Sequence, residues 1–459
     1  MKSITHILEK NVYLTSLGCS KNLVDAECMS FDLKKAGFNM VEDPAEAQVL
    51  IVNTCGFINP AKEESIQTIL DLADYKTEGQ AEVLVVTGCL SERYAEDMAE
   101  DLPEADILMG IGHYKDIVEA LYDFYEEEKP ESTKARIYLG HERPDVLAHM
   151  EIHRKPSTPY YAYLKIAEGC SNRCAFCAIP GIRGHFRSRP MEEIIEEAKA
   201  LVDQGYDELI LVAQDSGFYG LDLYKERRLA DLLEKLSVIP NLKWIRVLYL
   251  YAEGLNDRLL DVMKAHTNIL PYFDIPIQHG SDKILKRMNR KESIAQVEDH
   301  IESIKKTFPD AIIRTTMMVG FPGETEEDFE DLLNFVERMR FDRLGAFTYS
   351  PEEDTPAFSM EDQIADSVKE DRYRRLMELQ SRISLEKLQD QIGKKLEVKI
   401  EGLSDDGFSY VARSWEQVPD VDPVIYVLNP TEEAVTLGQY YPVEIVEADE
   451  YEQVGVIQG

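Results

Sequence analysis

Three cysteines in the run EGCSNRCAFCAIPGIRG, Cys170, Cys174 and Cys177, are spaced C-x3-C-x2-C. Thiolates are preferred ligands of iron–sulfur clusters, and three of them hold three corners of a four-iron cubane while the fourth iron stays open. An open iron can chelate the amino and carboxylate groups of S-adenosylmethionine and pass an electron into its sulfonium, which generates a carbon radical. A zinc site is the competing reading. Its usual knuckle is C-x2-C, however, and no fourth Cys or His stands at knuckle spacing, His185 lying eight residues beyond Cys177. Phe176, the aromatic between two of these ligands, has two readings: it packs the loop, or it lies against the adenine.

A second set is spread along the chain. Cys19 follows NVYLTSLG, Cys55 follows VLIVNT and Cys89 follows AEVLVVTG. Each run is short, rich in β-branched residues and closed by Gly or a polar residue, which is the pattern of a buried strand. Helical patterns separate them, from Asn22 to Lys35 ahead of Gly37 and from Ala61 to Asp74. Such alternation predicts a parallel sheet, whose ligand sites gather outside the carboxyl ends of the strands. All three thiols then emerge at one edge, within reach of one metal centre. A second three-thiolate cluster is expected there, against the alternative of three separately buried cysteines. Cys28 falls inside the helical run NLVDAECMSFDLKK and reads as a small buried hydrophobe.

The elements that position the first set begin at Tyr160. Strand patterns at 160–167, 207–214, 243–250, 272–277, 311–319 and 343–349 alternate with helical ones, including Met191 to Gln204 and Glu326 to Met339. Six such units predict a partial β/α barrel, with Cys170 just past its first strand, at the edge where a barrel does its chemistry. A long helix follows with Tyr373, Leu376, Leu379 and Ile383 on one stripe. Beyond Gly393, LEVKIEGL, FSYVARS, VIYVLN and YYPVEIVEA predict a small all-β barrel. The fold class is therefore α/β, with an N-terminal parallel α/β domain over 1–145, a partial (β/α)6 barrel over 156–390 and an all-β domain over 391–459. The stretches EEEKPESTKARI, from Glu126, and ERPDVLAHMEIHRKPSTP, ending at Pro159, read as a linker between the first two.

Composition bounds the rest. A chain of 459 residues exceeds one core, and its 44% hydrophobic and 30% charged residues are those of a globular protein. No apolar run approaches the span of a bilayer, and the opening MKSITHILEKNVYL reads as neither signal peptide nor anchor, so a cytoplasmic location is expected. Seven cysteines, an odd count, argue against a disulfide framework. The net charge of -36 repels a polyanion on average and attracts a basic partner.

With these residues in place, the chain resembles the methylthiotransferase family of radical S-adenosylmethionine enzymes over essentially its whole length. SLGCSKNLVDAE, NTCGFI and TGCL carry the resemblance in the first domain, EGCSNRCAFC and GFPGETEEDF in the barrel, and a C-terminal domain similar to the TRAM fold completes it. VAQDSGFYG, PIQHGSDKIL and YSPEEDTPA resemble the branch that modifies a ribosomal-protein aspartate more than the branch that modifies tRNA adenosine. Ser20 stands where that branch is expected to carry proline, and Asp354 where it is expected to carry glycine.

The resemblance implies two four-iron clusters. One, on Cys170, Cys174 and Cys177, cleaves S-adenosylmethionine so that a deoxyadenosyl radical takes hydrogen from an unactivated carbon. The other, on Cys19, Cys55 and Cys89, holds a sulfur atom, methylates it with a second S-adenosylmethionine and delivers it to the substrate radical. Gln214, Asp215, Gln278 and Arg314 are implied to hold the cofactor's ribose and carboxylate, with ordinary barrel-mouth polarity as the alternative. The GFPGET turn either brings backbone to the ligand or serves as a plain βα turn. The implied partners are a low-potential electron donor, a sulfur source and the twelfth small-subunit ribosomal protein, modified on an aspartate β-carbon.

Charge bears on the substrate. From Gln391 to Gly459 there are four basic residues, Lys394, Lys395, Lys399 and Arg413, against fourteen acidic ones, a net charge of -10. RNA binding requires several cations that displace counterions, so direct RNA binding is not expected, whereas a basic protein is attracted. Asp405 with Asp406, Glu432 with Glu433, and Asp449 with Glu450 and Glu452 are the expected contacts; solvation of a small domain is their alternative. Two rival functions remain: a tRNA methylthiotransferase, which needs a basic surface, and a non-catalytic iron–sulfur electron carrier, which has no use for an open iron.

Overall fold

The computed structural model describes residues 9–126, 135–139, 147, 149–429 and 434–458. The opening segment 1–8, most of the first half of the expected linker, and Glu432 with Glu433 lie outside the described residues.

The N-terminal unit is a six-stranded sheet, every neighbouring pair parallel, in the order Asn39–Val41, Asn11–Ser16, Val49–Thr54, Val83–Gly88, Ile107–Met109, Arg136–Tyr138. Its central strands Val49–Thr54 and Val83–Gly88 are buried along their whole length, as continuous apolar runs demand of a sheet covered on both faces. Val49, Ile51, Val83 and Val85 pack with Ala26, Met29 and Leu33 of helix Ser20–Ala36. Leu50, Val52, Leu84 and Val86 pack on the opposite face with Ile69 and Leu72 of helix Asn59–Thr77.

Six parallel strands form the barrel unit in two curved sheets. One holds Trp244–Val247, Glu208–Val212 and Ala162–Lys165, the other Tyr272–Gln278, Ile312–Val319 and Arg343–Thr348. The Leu250 N–H donates to the Asp274 carbonyl at 2.8 Å where the two meet. Alternate residues divide between two cores. Leu164, Leu209, Val247 and Ile313 face the helices, whereas Ile210, Val212, Leu248 and Tyr272 face inward. The partial α/β barrel expected from the strand pattern is thus the fold observed.

Helix Asp366–Gln389 follows, and the expected stripe is corrected: Leu376 and Ile383 are buried, but Tyr373 is 39% exposed. The buried face instead includes Arg372, which pairs with Glu324 at 2.9 Å, and Gln380, which donates to the Phe341 carbonyl at 3.2 Å. A face that is partly polar escapes a search for apolar periodicity.

The last unit is a closed five-stranded barrel of Lys395–Leu403, Tyr410–Arg413, Val424–Leu428, Glu452–Ile457 and Tyr440–Ala448 around Val398, Ile400, Ile425 and Val443. It docks on the amino ends of the large barrel's strands. Arg413 pairs with Glu208 at 2.8 Å, the Tyr272 hydroxyl donates to Asp422 at 2.7 Å, and Trp244 meets Tyr440 edge to face. Val418 joins the inward-facing cluster.

The second half of the expected linker is also corrected. His149 bonds Asp25 at 2.8 Å, and Arg154, fully buried, pairs with Glu197 at 3.0 Å and with Glu27. Its charges looked like those of a solvated spacer because pairing partners distant in sequence carry no local signal. Among the described residues no helix is long and apolar enough to cross a membrane.

Candidate functional site

At the carboxyl edge of the N-terminal sheet, Cys19 caps helix Ser20–Ala36, Cys55 follows strand Val49–Thr54 and Cys89 opens helix Cys89–Asp101. Ser16 lies beside Asn53 and Asn53 beside Thr87, so the residues that follow these strands share one edge. The loops touch. A Cβ on Gly18 would sit 2.7 Å from Cys55 Cβ and 2.9 Å from its Sγ, and one on Gly56 would sit 2.8 Å from Leu90 N, approaches only glycine permits. Asn22 ties the edge together: its Nδ2 donates to the Leu17 and Thr54 carbonyls at 3.0 and 2.9 Å, and its Oδ1 lies 3.7 Å from Cys89 Sγ.

The three thiols are free and sense one another. Burial, with the charge of Cys89 and Cys19, pushes the Cys55 thiol up to about 12. Burial also raises Cys89, against the pull of Arg183. For Cys19 burial opposes ionisation, yet the charges of Lys21 and Arg183 hold its thiol below the ordinary value.

The second triad sits in the loop after the first barrel strand. The Cys170 N–H donates to the Gly184 carbonyl at 3.0 Å, that of Ala175 to Met288 at 2.9 Å and that of Cys177 to Cys174 at 3.1 Å. Arg290 places Nη1 3.9 Å from Cys174 Sγ, donates from Nη2 to the Pro276 carbonyl at 2.6 Å, and lies over the Tyr251 ring. Burial, with the nearby Asp215 and Cys174, pushes Cys170 up to about 12, and burial with Cys174 raises Cys177. A cavity of about 190 Å³ opens beside them, lined by Asn172, Cys174, Tyr251, Arg290 and Glu292. Among the described residues no three Cys, His, Asp or Glu donors converge as ligands of a single ion would. In a cubane each thiolate takes its own iron, so that spacing is not required.

The polar residues singled out in the sequence divide between the triads. Asp215 accepts from Asn172 Nδ2 at 2.8 Å, and burial pushes its carboxyl up to about 6. Gln214 donates to Glu168 at 2.9 Å. One buried side-chain oxygen each of Gln214, Asp215 and Gln278 has no hydrogen-bond partner among the described residues. Phe176 is partly buried against Met318, Phe321 and Tyr349. The GFPGET turn is closed by Glu324, whose Oε2 accepts the Gly320 and Phe321 N–H groups at 2.7 and 3.1 Å. Arg314 stands apart: it pairs with Asp274 at 2.7 Å and lines a cavity shared with Cys19.

Sequence reading passed over the cations that serve these sites. Arg183, six residues past Cys177, contacts Glu168 at 2.8 Å, Asp25 at 3.1 Å and Asn22, and so bridges the two triads' domains. Lys165 pairs with Glu168 at 2.9 Å and with Asp25. Lys21 and Arg183 lie in the same runs as cysteines of the two triads, and a cation beside thiols was the available signal.

Residues 164–336 match the family model of the Radical SAM superfamily, residues 11–110 that of Uncharacterized protein family UPF0004, and residues 392–457 that of the TRAM domain. The chain is 46% identical to the ribosomal protein uS12 methylthiotransferase RimO of Lachnoclostridium phytofermentans, over 97% of this chain and 100% of that one. The protein of the same name from Geobacter sulfurreducens is 44% identical, over 98% of this chain and 99% of its own. The chain belongs to the RimO family.

Solved structures similar in fold include the radical S-adenosylmethionine methyltransferase TsrM of Kitasatospora setae, with TM-score 0.57 and 12% identity over 76% of this chain and 74% of that one. Another is the cobalamin-dependent radical enzyme OxsB, with TM-score 0.52 and 13% identity over 88% of this chain and 63% of that one. Within the RimO family the two departures noted in the sequence have simple structural reasons. Ser20 is the first residue of its helix, where proline is suited but not required. Asp354 has φ +61°, the left-handed conformation that glycine usually fills and that Asp tolerates.

Proposed function

We propose that this chain is a radical S-adenosylmethionine methylthiotransferase that places a methylthio group on the β-carbon of an aspartate in ribosomal protein uS12. The observation that carries this reading is identity of 44–46% to uS12 methylthiotransferases along nearly the full chain, joined to two separate cysteine triads.

The chain uses S-adenosylmethionine with an iron–sulfur cluster, and we assign two four-iron clusters. Cys170, Cys174 and Cys177 would hold one, Cys19, Cys55 and Cys89 the other. The donor sets fit, since each triad offers three thiols that are free of disulfides, and the orphaned oxygens of Gln214, Asp215 and Gln278 suit the hydroxyl and amino donors of the cofactor. When bound, the barrel cluster with S-adenosylmethionine supplies a carbon radical and the N-terminal cluster supplies the sulfur.

The chain's own residues do the positioning. Arg290 holds the Cys174 loop to the Pro276 carbonyl, with its guanidinium stacked over the Tyr251 ring. Asn172 binds Asp215 and fixes the loop after Cys170. Arg183, Lys165, Asp25 and Glu168 tie the N-terminal sheet to the barrel through buried ion pairs and so hold the two triads' domains together.

The C-terminal domain supports a basic protein partner. Lys399 and Arg413 are engaged with Asp207 and Glu208 of the large barrel, which leaves Lys394 and Lys395 as exposed cations of a domain whose Asp405, Asp406, Asp449 and Glu452 are also exposed. Such a surface repels the phosphate backbone of tRNA. A low-potential electron donor and a sulfur source complete the reaction.

Anaerobic reconstitution with iron and sulfide, followed by electron paramagnetic resonance, tests the assignment. Two four-iron signals are expected, one of which changes when S-adenosylmethionine is added. Signals that ignore the cofactor would identify an electron carrier.

A further inference from the structure

We propose that the cavity where the three units meet is the pocket for the carboxylate of the target side chain, and that Arg314 reads it. The inference rests on the aspartate-modifying function proposed above. It moves Arg314 from the cofactor to the substrate.

The cavity measures about 350 Å³, and Cys19, Ser20, Tyr249, Asp274, Arg314 and Asp420 contribute to its lining, so all three units do. It adjoins the thiol triad assigned to sulfur delivery. Tyr249 sits between the two triads: its carbonyl accepts the Ser216 N–H at 2.9 Å, next to Asp215 and the Cys170 side, while its ring lines the cavity. Tyr249 has φ +56°, a conformation a large side chain holds only where its surroundings enforce it, as happens at functional sites.

Arg314 presents a held but unfilled donor fork. A guanidinium carries five N–H donors. Among the described residues the hydrogen bond of Arg314 is to Asp274 Oδ1, at 2.7 Å, and its side chain is 21% exposed. Asp274 is buried and fully committed, its Oδ2 accepting the Tyr249 N–H at 2.9 Å. It is a positioning residue that fixes the guanidinium without using up its donors.

A second cation lies on the Tyr249 ring, outside the cavity lining. Lys21, 6% exposed, places its ammonium 3.5 Å from the centre of the Tyr249 ring, with Tyr249 and Cys19 as its electrostatic partners rather than a carboxylate. The acid at the rim, Asp420, is bonded to the Tyr161 hydroxyl at 2.9 Å. A planar two-oxygen anion matches the open side of an arginine fork. A neutral amide or a nucleobase edge leaves charged donors poorly matched, which costs affinity. The cation beside the other triad is Arg290, so the cofactor side does not need Arg314.

The test uses the reconstituted full-length enzyme and uS12 whose target aspartate is either intact or replaced by asparagine, with dissociation constants measured for both. Wild type is expected to favour the aspartate form by about 10- to 100-fold, the range for a hydrogen bond to a charged group. Arg314→Gln is expected to bind both forms alike, and Arg314→Lys to restore part of the preference. An Arg314→Gln enzyme that keeps the preference overturns the proposal, as does wild type without one, a result that does not depend on any enzyme variant folding. Affinity for S-adenosylmethionine is read in parallel, and a loss there matching the loss for uS12 returns Arg314 to the cofactor. Wild type that modifies RNA and leaves uS12 untouched removes the functional reading itself, which is distinct from modifying uS12 without discrimination.

Discussion

Replacing Arg183 with methionine should loosen the joint between the N-terminal sheet and the barrel. Arg183 is 1% exposed and touches Glu168 at 2.8 Å, Asp25 at 3.1 Å and Asn22. Without it, two fully buried carboxylates keep one ammonium between them, that of Lys165, with His149 on Asp25 and Gln214 on Glu168 as their remaining side-chain partners. Deleting one partner of a buried ion pair costs about 3–5 kcal/mol because a charge is left uncompensated. That is roughly two to nearly four powers of ten in the ratio of docked to undocked joint.

Hydrogen exchange read by mass spectrometry isolates the effect. Amides of helix Ser20–Ala36 should lose protection while those of the closed C-terminal barrel keep theirs. Lys10→Met, which breaks a half-exposed pair with Glu82, is the surface control and should cost under about 1 kcal/mol. The double variant Glu168→Gln, Arg183→Met should recover much of the loss, since Lys165 and Asp25 then remain as a balanced buried pair. Protection in helix Ser20–Ala36 no weaker than in the surface control, in a folded Arg183→Met protein, would refute the reasoning.

Acid should open the same joint. Burial opposes ionisation of Glu168, but the charges of Arg183 and Lys165 hold it at about 2 against an ordinary 4.5, so its stabilisation is present above pH 4.5 and lost as pH falls toward 2, measurable as protection against pH. Asp215 has the opposite sign: burial raises it from 3.8 to about 6, so its contribution is full below pH 3.8 and lost as pH rises through 6, and Asp215→Asn should remove that step from the stability–pH curve. Changing Cys170, Cys174 and Cys177 to Ala should roughly halve bound iron and abolish reductive cleavage of S-adenosylmethionine. Changing Cys19, Cys55 and Cys89 should spare cleavage but stop methylthio transfer; normal product from that variant would contradict the sulfur-carrier role. Reversing Asp405, Asp406, Asp449, Glu450 and Glu452 to Lys should weaken uS12 binding and flatten its salt dependence, and tight tRNA binding by the native domain would count against a protein partner.

Period-2 and continuous apolar patterns made the strands legible: Val49–Thr54 was readable to the residue, and five of the six barrel strands fell within the expected windows, Tyr272–Gln278 running one residue past its own. The cysteine edge was legible because parallel topology turns three scattered positions into neighbours. What escaped was long-range and polar. Lys165, Arg183 and Arg154 are charged residues at full burial, and nothing local marks a charge whose partner lies more than a hundred residues away, as with Arg183 and Asp25 or Arg154 and Glu27. The stripe expected through Tyr373 failed for the same reason, its true face being held by Arg372 and Gln380. Arg314 was expected among the polar residues of the barrel mouth, but it is the third residue of strand Ile312–Val319, towards the amino end, and the cavity it lines depends on the docking of residues 418–421, which has no sequence period.

The most direct measurement is mass spectrometry of uS12 and tRNA incubated in one vessel with the reconstituted enzyme, S-adenosylmethionine, sulfide and a low-potential reductant. A gain of one CH2S unit on a single aspartate of uS12, with tRNA nucleosides unchanged, is the predicted result. A methylthio group on adenosine, or uS12 of unaltered mass beside consumed S-adenosylmethionine, would contradict it.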